Sequence, residues 1–382
     1  MKRVAVLGGG MVGGVMAENL AKESGISVTV VDRNPEVLST LKEGSSVNVM
    51  LADLSDHRKV KEVVEDCDLV VGAVPGSLGF QTLKAVIEAG KNYADISFMP
   101  EDYFELDQSA KERGVTAVVD CGVAPGLSNM IVGRLSAELD RMEEATILVG
   151  GLPKAHSWPY EYKAPFSPID VIEEYTRPAR YVRNGRIVTV PALSEPELVN
   201  IPDVGVLEAF NTDGLRSLLR TINCPNMKEK TLRYPGHAEK MRMLRETGFF
   251  GTEPIEIAGM KVRPIDVTSQ LLFPMWRLEQ GEEEFTVMQI QVVGVEDGRR
   301  VKYTCDLLDR TNGEAGTSSM ARTTGFSCVT IARMLLKGEY AETGIIPPEL
   351  IGRDKAIFEK VVAQLRELGV VLKYKMDIIR SN

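Results

Sequence analysis

Residues 4–21 read VAVLGGGMVGGVMAENLA. An apolar run passes directly into Gly8, Gly10 and Gly13, spaced G-x-G-x-x-G, with Met11 and Val12 opening an Ala/Leu-rich stretch of helical character. A second apolar run, SVTVVD, follows and ends in Asp32, 19 residues after Gly13. Strand, glycine turn, helix, strand and acid in this order form the full context of a dinucleotide-binding fingerprint. Each residue has its own physical task. Gly8 permits the tight turn, Gly10 lets backbone approach a pyrophosphate, and Gly13 lets the helix pack closely on the strand. The helix then offers its free N–H groups and positive dipole end to the phosphates. Asp32 accepts from ribose hydroxyls and repels a 2′-phosphate, which favours NAD over NADP, while Arg33 next to it would tolerate that phosphate.

Working outward, the first 120 residues alternate regularly. After SVTVVD come SVNVMLAD, DLVVGAVP, NYADIS and VTAVVD, with helix-like stretches between most of them. FQTLKAVIEAG and EDYFELDQSAKERG end at Gly90 and Gly114, where a glycine is expected just past a helix. Six strands alternating with helices imply a parallel sheet covered on both faces. Ligands bind at the carboxyl ends of such strands. Asp53 and Leu54 are therefore expected near the adenine, and Ala73, Val74 and Pro75 under the second phosphate and ribose. Asp95, Ser97 and Val123 are expected near the nicotinamide. Asp53 has a second reading as the cap of the helix that follows it.

The rhythm changes near residue 128. GLPKAHSWPYEYKAPFSP is crowded with Pro and aromatic residues, and strand-like runs follow at RIVTVPAL and EPIEIAGMKV. The stretch EFTVMQIQVVGVEDGRRVKYTCDLLD reads as a hairpin turning at Asp297-Gly298. Helices are expected near 213–221, 237–247 and 265–277, then again from about 316 and near 353–368. The expectation is an α/β protein. A Rossmann dinucleotide-binding domain spans residues 1–125 together with C-terminal helices from about 316–382, and an α+β substrate and oligomerisation domain spans 126–315.

Composition excludes several function classes. Lys+Arg number 45 against Asp+Glu 54, net −9, with no basic stripe, so nucleic acid is not an expected partner. No apolar run is long enough to cross a bilayer. The five cysteines are odd in number and form no C-x-x-C pair, which argues for a reducing, cytoplasmic setting. His57, His156 and His237 lie far apart, so no zinc site is expected.

The glycine loop, YADIS, DCGVAPGLSN, YKAPFSPIDVIEEYTRPARYVRNG, RYPGHAEKMRML and MARTTGFSCVTIARML…GIIPPEL together resemble the saccharopine dehydrogenase-like proteins over nearly the whole chain. The resemblance implies a bilobal subunit, a homodimer or homotetramer, and hydride transfer between a nicotinamide and a C–N bond of an amino acid. In saccharopine-forming relatives the turn matching residues 122–126 resembles G-x-D-P-G, and the segment matching 210–214 resembles N-R-D. Here the acid is Ala124 and the carboxylate-holding arginine is Thr212. Two anchors for a large dicarboxylic substrate are thus replaced, and a smaller diamino acid fits better. The expected reaction is NAD-dependent oxidative deamination of L-lysine at its 6-amino group, giving the semialdehyde and ammonia. The alternatives are an NADPH-dependent saccharopine- or carboxynorspermidine-type reductase and a non-catalytic nucleotide-binding sensor.

Such chemistry needs a proton acceptor, because an alkylammonium resists loss of hydride. His237 is a candidate because histidine titrates near neutrality, and Lys163 is one if burial lowers its pKa. Asp95 and Asp120 are candidates to hold the ammonium, and Arg242 or Arg177 to clamp the α-carboxylate. Tyr175 and Phe166 are candidates to pack the aliphatic stem. GEEEF at 281–285 reads as a solvated turn.

Overall fold

The structure, a computed structural model, describes residues 1–279, 281–311, 313 and 316–379. The chain divides into two compact units. The first holds Met1–Leu135 and Ala321–Val371, and the second holds Ser136–Met320 and the residues from Leu372 onward.

The first unit is built on β1 (Lys2–Leu7), β2 (Ile26–Asp32), β3 (Asn48–Leu51), β4 (Leu69–Gly72), β5 (Tyr93–Asp95) and β6 (Thr116–Val118). They lie parallel in the order β6-β5-β4-β1-β2-β3. The order reverses between β1 and β4, and that is where a doubly wound sheet opens a crevice for a ligand. Leu7, Val31, Val70, Leu83, Val86 and Tyr93 are all fully buried in its core. Each such aliphatic side chain contributes roughly 1.5–3 kcal/mol. Gly90 and Gly114 have φ of +67° and +65°, the left-handed step past a helix end.

A seventh parallel strand, Gly344–Ile346, extends the sheet beyond β6. The sequence had offered only helices in this region. The first unit also keeps most of the helix Leu127–Glu138, so the chain changes units after residue 135 and not after 125. Residues 372–378 form a strand of the second unit, antiparallel to Arg299–Arg310, and not part of the first.

The second unit is a mixed sheet covered by helices. Its central strand Arg141–Pro153 pairs parallel with Asn226–Arg233 and antiparallel with Glu284–Glu296. Glu284–Glu296 turns back through Asp297 (φ +49°) and Gly298 (φ +72°) into Arg299–Arg310, in register from Glu296↔Arg299. Two successive positive φ values make the tight turn that matches strand twist. Helices form at Pro168–Thr176, His237–Thr247 and Pro264–Trp276. The helix expected over 213–221 shrinks to Leu218–Thr221 because Arg216 sits at φ +53°, outside helical space. Glu284 is buried and accepts from the Met320 N–H (2.9 Å), so the GEEEF stretch is not wholly a solvated turn.

Candidate active site

The carboxyl ends of β1–β6 gather most of the expected cofactor residues. Gly8 has φ +102°, and a Cβ there would strike the Ala73 carbonyl. A Cβ on Gly13 would overlap the Gly8 carbonyl oxygen, whereas one on Gly10 would meet open space. Gly8 and Gly13 are therefore required by packing, and Gly10 leaves room for something outside the chain. Gly10 is also the N-cap of the helix Met11–Ala21 and supplies no side-chain cap, so the first-turn N–H groups stay available to an anion. Val12 is buried beneath this turn and Met11 is exposed. The helix Gly76–Glu88 starts after Pro75, also without a side-chain cap. Val74 is buried and Pro75 exposed beside it.

Asp32 ends β2 and ties the loop to it. Its Oδ2 accepts from the Gly9 N–H (2.7 Å) and its Oδ1 from the Asn34 N–H (2.8 Å). The carboxylate is thus fixed beside the glycine turn, while Arg33 is exposed. Arg33 also helps hold the Asp53 carboxyl below its ordinary pKa, although bonds from Ser55 are the larger cause. Asp53 accepts from the Ser55 N–H (3.0 Å) and hydroxyl (2.7 Å), and Leu54 is buried. The cap of the helix His57–Val64 is Asp56, which accepts from Arg58, so the capping role considered for Asp53 belongs three residues later.

Asp95 ends β5 and is completely buried. Its Oδ1 accepts from the Ser97 hydroxyl (2.7 Å), the Ser97 N–H (3.1 Å) and the Tyr93 hydroxyl (3.2 Å). Its Oδ2 has no hydrogen-bond partner among the described residues. Burial pushes this carboxyl up to about 7. Asp120 accepts from the Tyr103 hydroxyl (2.9 Å). The turn at 121–126 is held by the Cys121 N–H on the Asp95 carbonyl (2.7 Å), with Val123 buried. Gly126 has φ +138°, and any Cβ there would strike Gly122.

The candidates of the second unit fall into separate groups. His237 and Tyr175 meet in a buried aromatic cluster with Tyr162, Phe210 and Trp276. His237 Nδ1 faces the Tyr160 carbonyl (2.8 Å), so Nδ1 carries the proton, and Nε2 accepts from the Tyr175 hydroxyl (2.9 Å). Burial is the main cause that pushes His237 down to about 3. The near-neutral titration that made it a candidate base is therefore absent, and the imidazole is a neutral connector. Tyr175 spends its hydroxyl here and its ring on the core, not on an open slot for a substrate stem. Phe166 packs against the same cluster.

Lys163 donates to the Arg277 carbonyl (2.9 Å) and lies 3.6 Å from Glu282, so its ammonium fastens two segments together. Arg242 is exposed on the helix His237–Thr247. Arg177 follows the helix Pro168–Thr176, and its guanidinium is pushed down by burial and by neighbouring Arg216.

Thr212 is buried and belongs to a group that sequence reading missed. Its hydroxyl donates to Glu229 Oε2 (2.7 Å) and contacts the Thr231 hydroxyl (2.8 Å). The Gly214 N–H donates to the same carboxyl oxygen (3.0 Å). Burial pushes Glu229 up to about 8. Arg233, also missed, is buried against the face of Tyr162 (4.6 Å) and donates to Glu174 (2.7 Å). Both lie on the strand Asn226–Arg233, whose KEKTLR sequence reads as an ordinary polar alternation.

Two family models match. Saccharopine dehydrogenase NADP binding domain covers residues 4–118, and Saccharopine dehydrogenase C-terminal domain covers residues 122–370. The chain belongs to the saccharopine dehydrogenase family. It is 27% identical to the mitochondrial alpha-aminoadipic semialdehyde synthase of Mus musculus over 69% of this chain and 30% of that protein, so it spans under a third of that relative. It is 22% identical to the saccharopine dehydrogenase [NADP(+), L-glutamate-forming] of Pyricularia oryzae, over 98% of this chain and 99% of that one. The apo saccharopine dehydrogenase (L-Glu forming) from Saccharomyces cerevisiae has the same fold, with TM-score 0.80 and 21% identity over 99% of this chain and 100% of that one. Among the described residues no helix is long and apolar enough to cross a membrane, and no His, Cys, Asp and Glu group could hold a metal ion.

Proposed function

We propose that this protein is a nicotinamide-dinucleotide-dependent oxidoreductase acting on a C–N bond of an amino acid, and specifically an NAD-dependent L-lysine 6-dehydrogenase. The glycine turn fits a dinucleotide, since Gly10 leaves an open cradle over uncapped N–H groups. When bound, the nicotinamide accepts the hydride equivalent from the substrate carbon. The resulting imine takes up water, releasing ammonia and leaving the semialdehyde, which cyclises onto its own α-amine.

The observation that carries the substrate choice is the Thr212–Glu229 pair. Thr212 occupies the place matched by a carboxylate-holding arginine in saccharopine-forming relatives, and its hydroxyl is bonded to a buried acid. A second carboxylate brought to this group would lack the guanidinium that the match places at position 212, and the protonated Glu229 offers no positive charge in its stead. A diamino acid brings no such charge. Ala124 stands where those relatives carry a second polar anchor for the larger substrate. The Asp95 carboxyl fixes the Ser97 hydroxyl and stands half-charged near neutral pH, so it can hold a proton at Oδ2.

Asp32 supports NAD. Arg33 supports a second reading in which NADP is used, in keeping with the name of the matching family model. Absorbance of the reduced nicotinamide, followed with lysine, ornithine and saccharopine and with each cofactor, separates these readings. Lysine with NAD is the expected pair. Asp32→Ala should shift kcat/KM toward NADP by about 10-fold or more. Turnover of saccharopine in preference to lysine would overturn the substrate choice, and cofactor binding without turnover of any amine would leave a nucleotide sensor.

A further inference from the structure

The acid Glu229, in the strand Asn226–Arg233, stands among charges that are already matched. Glu174 faces Arg233 (2.7 Å). Asp213 takes both arms of Arg180, at Nε (2.9 Å) and Nη2 (2.8 Å). Lys228 and Lys230 flank Glu229 in sequence, so they point to the other face of the strand, where both reach Glu197 (3.6 and 2.6 Å). Among the described residues no Lys, Arg or His forms an ion pair with Glu229, although only 4% of it is exposed.

The bonds that Glu229 does accept come from neutral donors, the Thr212 hydroxyl and the Gly214 N–H, and both fall on Oε2. Oε1 accepts none among the described residues. The Thr212 hydroxyl spends its proton on Oε2, so the Thr231 hydroxyl donates to Thr212 in turn, and this chain runs toward Oε2 alone. Gly214 is required by the arrangement, since a Cβ there would strike the Glu229 carboxyl. Burial is the main cause that pushes this carboxyl up to about 8. Glu174 and Asp213 add to the rise, while the bonds from Thr212 and Gly214 oppose it. At neutral pH the acid therefore keeps a proton, and Oε1 is the oxygen free to carry it.

We infer that Oε1 of Glu229 receives the non-reacting ammonium of the substrate, the α-amino group of lysine. The carboxyl is neutral when empty and becomes one half of a charge pair when an ammonium arrives and the acid proton leaves to solvent. The chemistry of the single open oxygen chooses the ligand. A guanidinium fork wants two acceptor oxygens, and Oε2 is already taken, whereas an ammonium is a point donor that one oxygen can satisfy. A metal ion would need further acidic or imidazole ligands, which the described residues do not gather. The assignment to the α-amine rests on the lysine reading above. Thr212 stands where relatives place an arginine for a substrate carboxylate, a group that takes no part in hydride transfer. Glu229 is then a specificity residue that distinguishes lysine from an ω-amino acid with no α-amine.

Kinetics with lysine and with 6-aminohexanoate, which keeps the reacting amine and the carboxylate, test this on the full chain. In Glu229→Gln, kcat/KM for lysine should fall about 100-fold, mostly through KM, while that for 6-aminohexanoate stays within about 3-fold. Gly214→Ala pushes the same carboxyl aside without removing it and should show the same selective loss. Calorimetry adds a measurement that needs no turnover. With the reduced cofactor present, which cannot accept hydride, lysine binding to the wild type at pH 7 should release about one proton, read from buffers of different ionisation heat, and binding to Glu229→Gln none. A Gln variant that keeps the wild-type preference for lysine, or the same proton release, would overturn the inference and leave lysine turnover standing. A wild type that binds lysine with this proton release yet turns none over would uphold Glu229 as an ammonium site and overturn the dehydrogenase reading. A wild type that binds no lysine would overturn both.

Discussion

Replacing Glu229 by Gln should stabilise the second unit, and more so as pH rises. Burial lifts the Glu229 carboxyl from 4.5 to about 8, so the folded state holds its proton where the unfolded chain has released it. The protonated acid is fully compatible with the fold below about pH 4.5. Stability is then lost as pH climbs toward 8, and the loss levels off above it. At about 1.4 kcal/mol per pKa unit the wild type should lose on the order of 3–5 kcal/mol across this window. Gln cannot ionise, yet keeps an oxygen for the Thr212 hydroxyl and the Gly214 N–H. Urea unfolding at pH 5, 7 and 9 measures the effect directly. Both tryptophans, Trp158 and Trp276, belong to the second unit, and Trp276 is fully buried, so fluorescence reports its unfolding. Asp95 and Glu284 titrate in the same range but are common to both proteins and cancel. A wild type that gains on the Gln variant with rising pH, or a difference that stays flat, would refute the reasoning.

The glycine turn gives a paired prediction. Gly10→Ala should fold normally and lose dinucleotide affinity by about 10-fold or more, whereas Gly13→Ala should lower the melting temperature as well, because only the latter Cβ strikes backbone. Fluorescence titration with the reduced cofactor and thermal melts separate the two. His237→Phe should cost about 2–4 kcal/mol by taking the donor from the Tyr160 carbonyl and the acceptor from the Tyr175 O–H, whose oxygen keeps only the bond from Arg233 Nε (3.3 Å). With a folded pKa near 3, the stability His237 contributes is present above about pH 6.5 and fades as pH falls toward 3. Any inflection of kcat/KM near pH 7 should therefore survive in a His237 variant that still folds. Its disappearance would return His237 to the list of proton acceptors.

The first unit was legible because its information is local. Strand periodicity, the three glycines and Asp32 each declare themselves within a few residues, and the strand ends follow from the order of the sheet. Gly344–Ile346 was not legible, since three residues carry no period and only pairing with β6 makes them a strand. Leu372–Ile378 was legible and was overlooked: Leu372, Tyr374, Met376 and Ile378 alternate with Lys373, Lys375 and Asp377, the two-residue period of a strand with one apolar face. Side-chain roles in the second unit were the hardest. Glu229 reads as a solvent-facing strand residue until the 212–214 turn is laid over it, and His237 reads as a titrating base until its burial is known. Both were decided by contacts between residues distant in sequence.

The seventh strand of the parallel sheet carries a consequence for how the protein is made. Residues 1–135 leave the ribosome before the second unit, with six strands and the whole glycine turn, but their sheet ends at an open β6 edge. The residues that close it lie beyond position 340, after most of the intervening unit has been synthesised. The second unit has the mirror problem, because its own edge strand arrives only at 372–378. While residues 311–343 are being made, both sheets present an unsatisfied row of backbone groups, the template on which chains pair wrongly. Slow elongation or truncation between residues 320 and 372 should therefore be unusually prone to aggregation, although every residue of the nucleotide turn is already in place.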